Sequence, residues 1–116
     1  MTITSAQRIA IAAAQAASDK KAEDIQILKM PAVMVDTDYF VICSASTYVQ
    51  IRAIVSAVIA ELEEMNISLL RHEGRGNNNW VLLDYGDVVV HVFLEEDRRY
   101  YDLEKLWADA ERVPFE

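Results

Sequence analysis

Three sets of residues in this chain have types and spacings that could do chemistry. Asp36-Thr37-Asp38 is a D-x-D, and Asp84 and Asp87 add two more acids around Tyr85-Gly86. Paired carboxylates can hold Mg²⁺ for phosphoryl or nucleotidyl transfer. That chemistry also needs a Gly-Ser phosphate-binding turn and a Lys or Arg to clamp a triphosphate, and neither lies close by in sequence. Asp36 therefore reads as an exposed acid leading into a strand, and Asp87 as a turn residue. Cys43 with His72 or His91 is a thiol–imidazole set of the nucleophilic kind. Cys43 ends an apolar run, however, where a lone Cys acts as a small buried hydrophobe. Two His and one Cys are too few for a structural zinc site. Walker, G-x-S-x-G and H-E-x-x-H patterns are all absent. The residues predict no enzyme, no cofactor and no metal.

Helices and strands must position these groups, and the punctuation is sparse: three Gly, all between Gly74 and Gly86, and two Pro. Thr4-Ser5-Ala6-Gln7 is a capping-box pattern, and the Ala-rich segment after it predicts a helix to about Lys20-Lys21. Ile25 and Ile27 alternate with polar residues in a short strand ending near Pro31. Asp38 to Cys43 is rich in strand formers and nearly all apolar, a strand buried on both faces. Thr47-Tyr48-Val49-Gln50 is a second capping box. It precedes Ile51, Ile54, Val55, Val58, Leu62 and Met65 at helical spacing, with Asn66 as terminator. Ile67 to Leu70 predicts a third strand, and Glu73 to Asn79 an exposed polar loop. Trp80 to Tyr85 and Val88 to Leu94 flank Gly86-Asp87, which suits a two-residue type II′ hairpin turn. Tyr100, Leu103, Leu106 and Trp107 close the chain at helical spacing. The expected fold class is α/β with α+β character: a single-domain mixed β-sheet with flanking helices, spanning 1–116.

The turn sets the hairpin register by arithmetic. Tyr85 faces Val88, Leu83 faces Val90 and Val81 faces Val92, an apolar face that belongs to the core. The other face pairs Asp84 with Val89, Leu82 with His91, and Trp80 with Phe93. Either helices cover this mixed face too, or it is a half-exposed recognition surface, since Trp flanked by polar groups typifies binding hot spots.

The charge balance bears on the partner. Lys and Arg number 11 and Asp and Glu 19, for a net charge of −8 with 53% apolar residues. The cations are scattered, and a nucleic-acid module needs a basic face. A basic protein or cationic ligand is the expected partner, with no sequence-specific nucleic acid. A single cysteine fits a reducing, cytoplasmic setting. No apolar run approaches the roughly 20 residues of a membrane helix, and Arg8, Gln15 and Asp19-Lys20-Lys21 interrupt the Ala-rich start, unlike a signal peptide.

The run from Trp80 to Phe93, WVLLDYGDVVVHVF, resembles the signature of the ribosomal silencing factor (Iojap) family. Asp38 to Ser44, Arg71-His72-Glu73-Gly74, and Tyr100 to Trp107 agree with it in order and spacing. The resemblance implies a non-catalytic translation repressor. Such proteins bind ribosomal protein L14 (uL14) on the large subunit and block joining of the small subunit when nutrients are scarce. It also implies a fold similar to nucleotidyltransferases without their catalytic residues. By analogy with the motif, the contact set for L14 is Trp80, Leu82, Asp84, Gly86, Asp87 and His91, with Gly86 serving turn geometry more than contact. The stretch after Ser44 departs from the family: Ala45-Ser46-Thr47 replaces Gly-Thr-Ser, and Gln50 stands where a His is usual. Two other classes compete with this reading. A nucleotidyltransferase-like enzyme would show metal-dependent nucleotide turnover, and a homodimeric scaffold would self-associate without affinity for ribosomes.

Overall fold

A computed structural model describes residues 5–31, 37–74, 79–101, 105 and 110–115. In chain order the elements are α1 (Ser5–Asp19), β1 (Glu23–Lys29), β2 (Tyr39–Ala45), α2 (Tyr48–Glu64), β3 (Arg71–Glu73), β4 (Trp80–Asp84), β5 (Val88–Leu94), α3 (Glu95–Tyr101) and β6 (Glu111–Arg112). The strands form one mixed sheet in the order β3-β4-β5-β2-β1-β6. Among the described strands only β2 and β5 run parallel, with α2 and the β3–β4 segment forming the crossover between them. The expected mixed α+β architecture is the one observed.

Both long helices end through left-handed residues that are not glycine. Lys21 takes φ 66° and Asn66 φ 62°. Behind them the Ala22 amide returns to the Ala17 carbonyl and the Ile67 amide to that of Leu62, so orphan helix carbonyls are satisfied. At the start of α2, Thr47 accepts from the Gln50 amide as expected. The Gln50 side chain does not return to Thr47. Its Oε1 accepts from the Ser46 amide at 2.9 Å and its Nε2 donates to the Lys21 carbonyl at 2.8 Å, which ties the end of α1 to the start of α2. The Thr4 cap and most of the terminal pattern from Leu103 to Trp107 lie outside the described residues.

The prediction of a third strand at Ile67 to Leu70 is corrected. Ile67 is used in closing α2, and Ile67 and Leu69 pack beneath it as partly buried side chains. The strand is instead Arg71–Glu73, so Glu73 leaves the predicted loop. The two-residue β6, paired with β1, was not anticipated.

The two faces of the sheet are built differently. Six small alanines of α1 and Ile51, Ile54, Val58 and Leu62 of α2 cover one face, over Val41, Cys43, Leu83, Val90 and Val92. Each large aliphatic side chain here contributes roughly 1.5–3 kcal/mol on burial. The second face holds a smaller cluster of Leu28, Met30, Ile42 and Phe93, bordered by Phe40, Trp80 and Ala110. No helix among the described residues is long and apolar enough to cross a membrane.

Candidate functional site

The β4–β5 hairpin has the register that the turn arithmetic requires: Trp80 opposite Phe93, Val81 opposite Val92, Leu82 opposite His91, Leu83 opposite Val90 and Asp84 opposite Val89. The Tyr85 amide closes it on the Val88 carbonyl at 2.9 Å. Gly86 has φ 89° while Asp87 stays out of the left-handed region, so the glycine takes the first turn position, where a left-handed residue is needed. The start of β2 then splints the turn. The amides of Asp38 and Tyr39 both donate to the Asp87 carbonyl, and the Thr37 hydroxyl donates to that of Gly86 at 3.1 Å. Asp38 thus contributes its backbone to the hairpin, and Asp36 lies outside the described residues.

On the second face the six sequence-predicted residues fall into three environments. Trp80, Leu82 and Asp84 project from β4 and are half-buried. Gly86 is half-buried and Asp87 exposed at the turn. His91 is only 4% exposed, so it has almost no surface to offer a partner directly.

An aromatic array explains that burial. The Trp80 indole stacks on Phe93 with centroids 4.9 Å apart, and Phe40, brought alongside β5 by β2, meets the imidazole edge-on at 4.6 Å. Trp80 Nε1 donates to His91 Nδ1 at 3.0 Å. An indole nitrogen can only donate, so Nδ1 must present its lone pair and Nε2 carries the proton. Burial pushes the His91 pKa down to about 4, which keeps the ring neutral at physiological pH. Its Nε2 is buried and has no hydrogen-bond partner among the described residues.

The charged rim contains a residue that sequence reasoning missed. Arg71 pairs with Asp84 across β3–β4, and its Nη2 lies 4.0 Å from Asp84 Oδ2. Asp84 Oδ1 meanwhile accepts from the Gly86 amide at 2.8 Å. Asp84 therefore braces the turn and faces a cation of its own chain. Asp87 is the acid left facing solvent. The alternation of Arg71 and Glu73 about His72 is the signal for this edge strand, and placing a strand at Ile67 to Leu70 hid it.

The remaining candidates are kept apart. Cys43 lies on the helix-covered face and His91 on the other, since Cys43 pairs with Val92 and Ile42 with His91. His72 sits three strand positions from Cys43, roughly 14 Å at normal strand spacing. Burial pushes the Cys43 thiol up to about 12, with Arg98 pulling weakly the other way. A thiol in that state is no nucleophile at neutral pH.

Known proteins are similar to this chain in sequence and fold. The family model described as "Ribosomal silencing factor during starvation" matches residues 3–116. The ribosomal silencing factor RsfS of Bacillus subtilis is 46% identical over 98 residues, 84% of this chain and 83% of that one. A mouse protein named for mitochondrial assembly of the ribosomal large subunit is 33% identical over 91 residues, 76% of this chain and 40% of its own longer chain. A crystal structure of a protein from Chromobacterium violaceum superposes with a TM-score of 0.85 at 33% identity, covering 90% of this chain and 88% of that one.

Proposed function

The chain belongs to the ribosomal silencing factor family, and we propose that it represses translation by docking the β4–β5 hairpin face on ribosomal protein L14, blocking the small subunit. The observation that carries this is Trp80: a large aromatic, half-buried, stacked on Phe93 and hydrogen-bonded to His91, at the border of the sheet face opposite α1 and α2. Trp is the residue most enriched among binding hot spots, and here it lies beside Leu82 with acids at the rim. The name of the mouse relative adds support for the large subunit as the partner. Asp87 supplies exposed negative charge for a basic ribosomal protein, Leu82 supplies apolar area, and Gly86 and Asp84 hold the turn in shape.

The direct test is co-sedimentation with purified large subunits, followed by titration against purified L14. Trp80→Ala is expected to weaken binding by about 2 kcal/mol or more, with a native-like circular dichroism spectrum. Unchanged affinity would remove this face from the interface. A collapsed spectrum would mean that Trp80 serves the fold and not the partner.

Electrostatics gives a kinetic expectation. A net charge of −8 speeds encounter with a basic partner, and salt screens that attraction within about 10 Å at 0.1 M. Raising the salt should slow association more than it changes dissociation. Because Asp84 faces Arg71 while Asp87 faces solvent, Asp87→Asn is expected to flatten the salt dependence of the on-rate more than Asp84→Asn. Stopped-flow association with L14 measures this, and equal slopes in the wild type and Asp87→Asn would refute steering by the turn.

A further inference from the structure

His91 has an unusual economy for a buried polar residue. It belongs to a cluster that would pack well with a phenylalanine: Phe40 lies against its edge, and Phe93 lies near-parallel to it at 6.3 Å and 15°. One ring nitrogen, Nε2, is buried without a partner among the described residues, a standing cost that an apolar side chain would remove. The other, Nδ1, spends its lone pair on the Trp80 indole. What the imidazole adds over an apolar ring is therefore that one hydrogen bond, and what the bond holds is the orientation of the half-buried side chain beside it.

We propose that His91 is a positioning residue: it locks the Trp80 indole in its binding orientation before the partner arrives, and acts on the partner only through Trp80. The role rests on the proposed L14 interface. An indole gripped by Phe93 beneath and His91 at Nε1 has already lost the side-chain freedom that binding would otherwise have to remove. The 4% exposure of His91 agrees with action through a neighbour, in place of the direct contact expected from the motif.

The test uses His91→Phe, which keeps a ring and removes the acceptor, and His91→Asn, whose Oδ1 can replace Nδ1. In the uncomplexed protein, the Trp80 indole N–H resonance, assigned by its loss in Trp80→Phe, is expected to be a single, slowly exchanging line. His91→Phe should shift it and speed its exchange with solvent, and His91→Asn should restore much of the protection. In titrations against L14, His91→Phe is expected to weaken binding by about tenfold, the scale of one neutral hydrogen bond. In a Trp80→Phe background, which lacks the donor, the same substitution should change nothing further. An indole signal indifferent to His91→Phe overturns the proposal. So does a binding loss that persists in the Trp80→Phe background, because His91 would then touch the partner itself. If the wild type fails to bind L14, the interface is wrong, and the indole measurement on the uncomplexed protein still decides whether His91 fixes Trp80.

Discussion

Gly74→Ala is expected to destabilise the protein by about 3 kcal/mol, far more than the same change at Gly86. Both glycines have positive φ, 84° and 89°, so both substitutions carry the strain of a side chain in a left-handed conformation, roughly 1–2 kcal/mol. They differ in what the new methyl group meets. At Gly86 it finds only Leu70 Cδ1 at 3.4 Å, the far end of a side chain that is 68% exposed and can move aside. At Gly74 the methyl would sit far inside van der Waals contact with the Trp80 carbonyl oxygen and 3.0 Å from Val81 Cα, both backbone atoms of β4. Overpacking of that kind adds roughly 1–3 kcal/mol. Relief requires β3 to move off β4 where Trp80 begins, so the proposed anchor, Trp80, moves too. Urea denaturation should show a midpoint lower by roughly 1–2 M for Gly74→Ala, given a slope of about 2 kcal/mol/M for a small domain. Gly86→Ala should lose about half as much or less. Equal losses at the two positions would mean that the close approach of Gly74 to Trp80 is not a constraint on the fold.

The contrast between the hairpin and its surroundings shows what was legible in the sequence. Trp80 to Leu94 alternates with period two around a turn that wants a left-handed first residue, so local chemistry alone sets the register. Helix α2 was equally readable, because Thr47 and Asn66 carry its capping chemistry, whereas the start of α3 at Glu95 directly after β5 was not read. The third strand was misplaced because Ile67 and Leu69 are apolar for another reason: they fold under α2 after the reversal at Asn66. The true strand, Arg71–Glu73, is polar because it lies at an edge of the sheet. In β6, Glu111 and Arg112 have no apolar signal at all, and their pairing with β1 is a purely tertiary event.

The candidate site divides along the same line. Trp80, Leu82 and Asp84 were assigned to the correct face because they belong to one strand whose partner is known. The burial of His91 was not readable, since a His in an alternating strand looks like a solvated position. Its cover includes Phe40 of β2, which reaches β5 only through the parallel pairing, and hairpin arithmetic has no access to that neighbour. The same holds for Arg71, which modifies Asp84 from the far side of β4.

The buried imidazole should also make the stability of the protein depend on pH in a window where most carboxylates are still ionised. In the unfolded chain His91 titrates near the ordinary value of about 6.5, whereas burial lowers it to about 4 in the folded protein. Well above pH 6.5 neither state is protonated, and the residue adds no pH dependence. As the pH falls from 6.5 towards 4, the unfolded chain takes up a proton that the native state refuses, so protonation favours unfolding and stability is lost progressively. Below about 4 both states are protonated and the dependence levels off. The span of about 2.5 units corresponds to roughly 3 kcal/mol. His91→Phe removes the titrating group, so the stability difference between wild type and variant should shift by about that amount between pH 7 and pH 4, against the wild type. Denaturation of both proteins across this range measures it, and parallel curves would show that the imidazole is not held neutral. A proton on Nδ1 would also set a donor against the Trp80 N–H, since that bond depends on an Nδ1 lone pair. The indole resonance should therefore report the same titration near pH 4 from inside the native state.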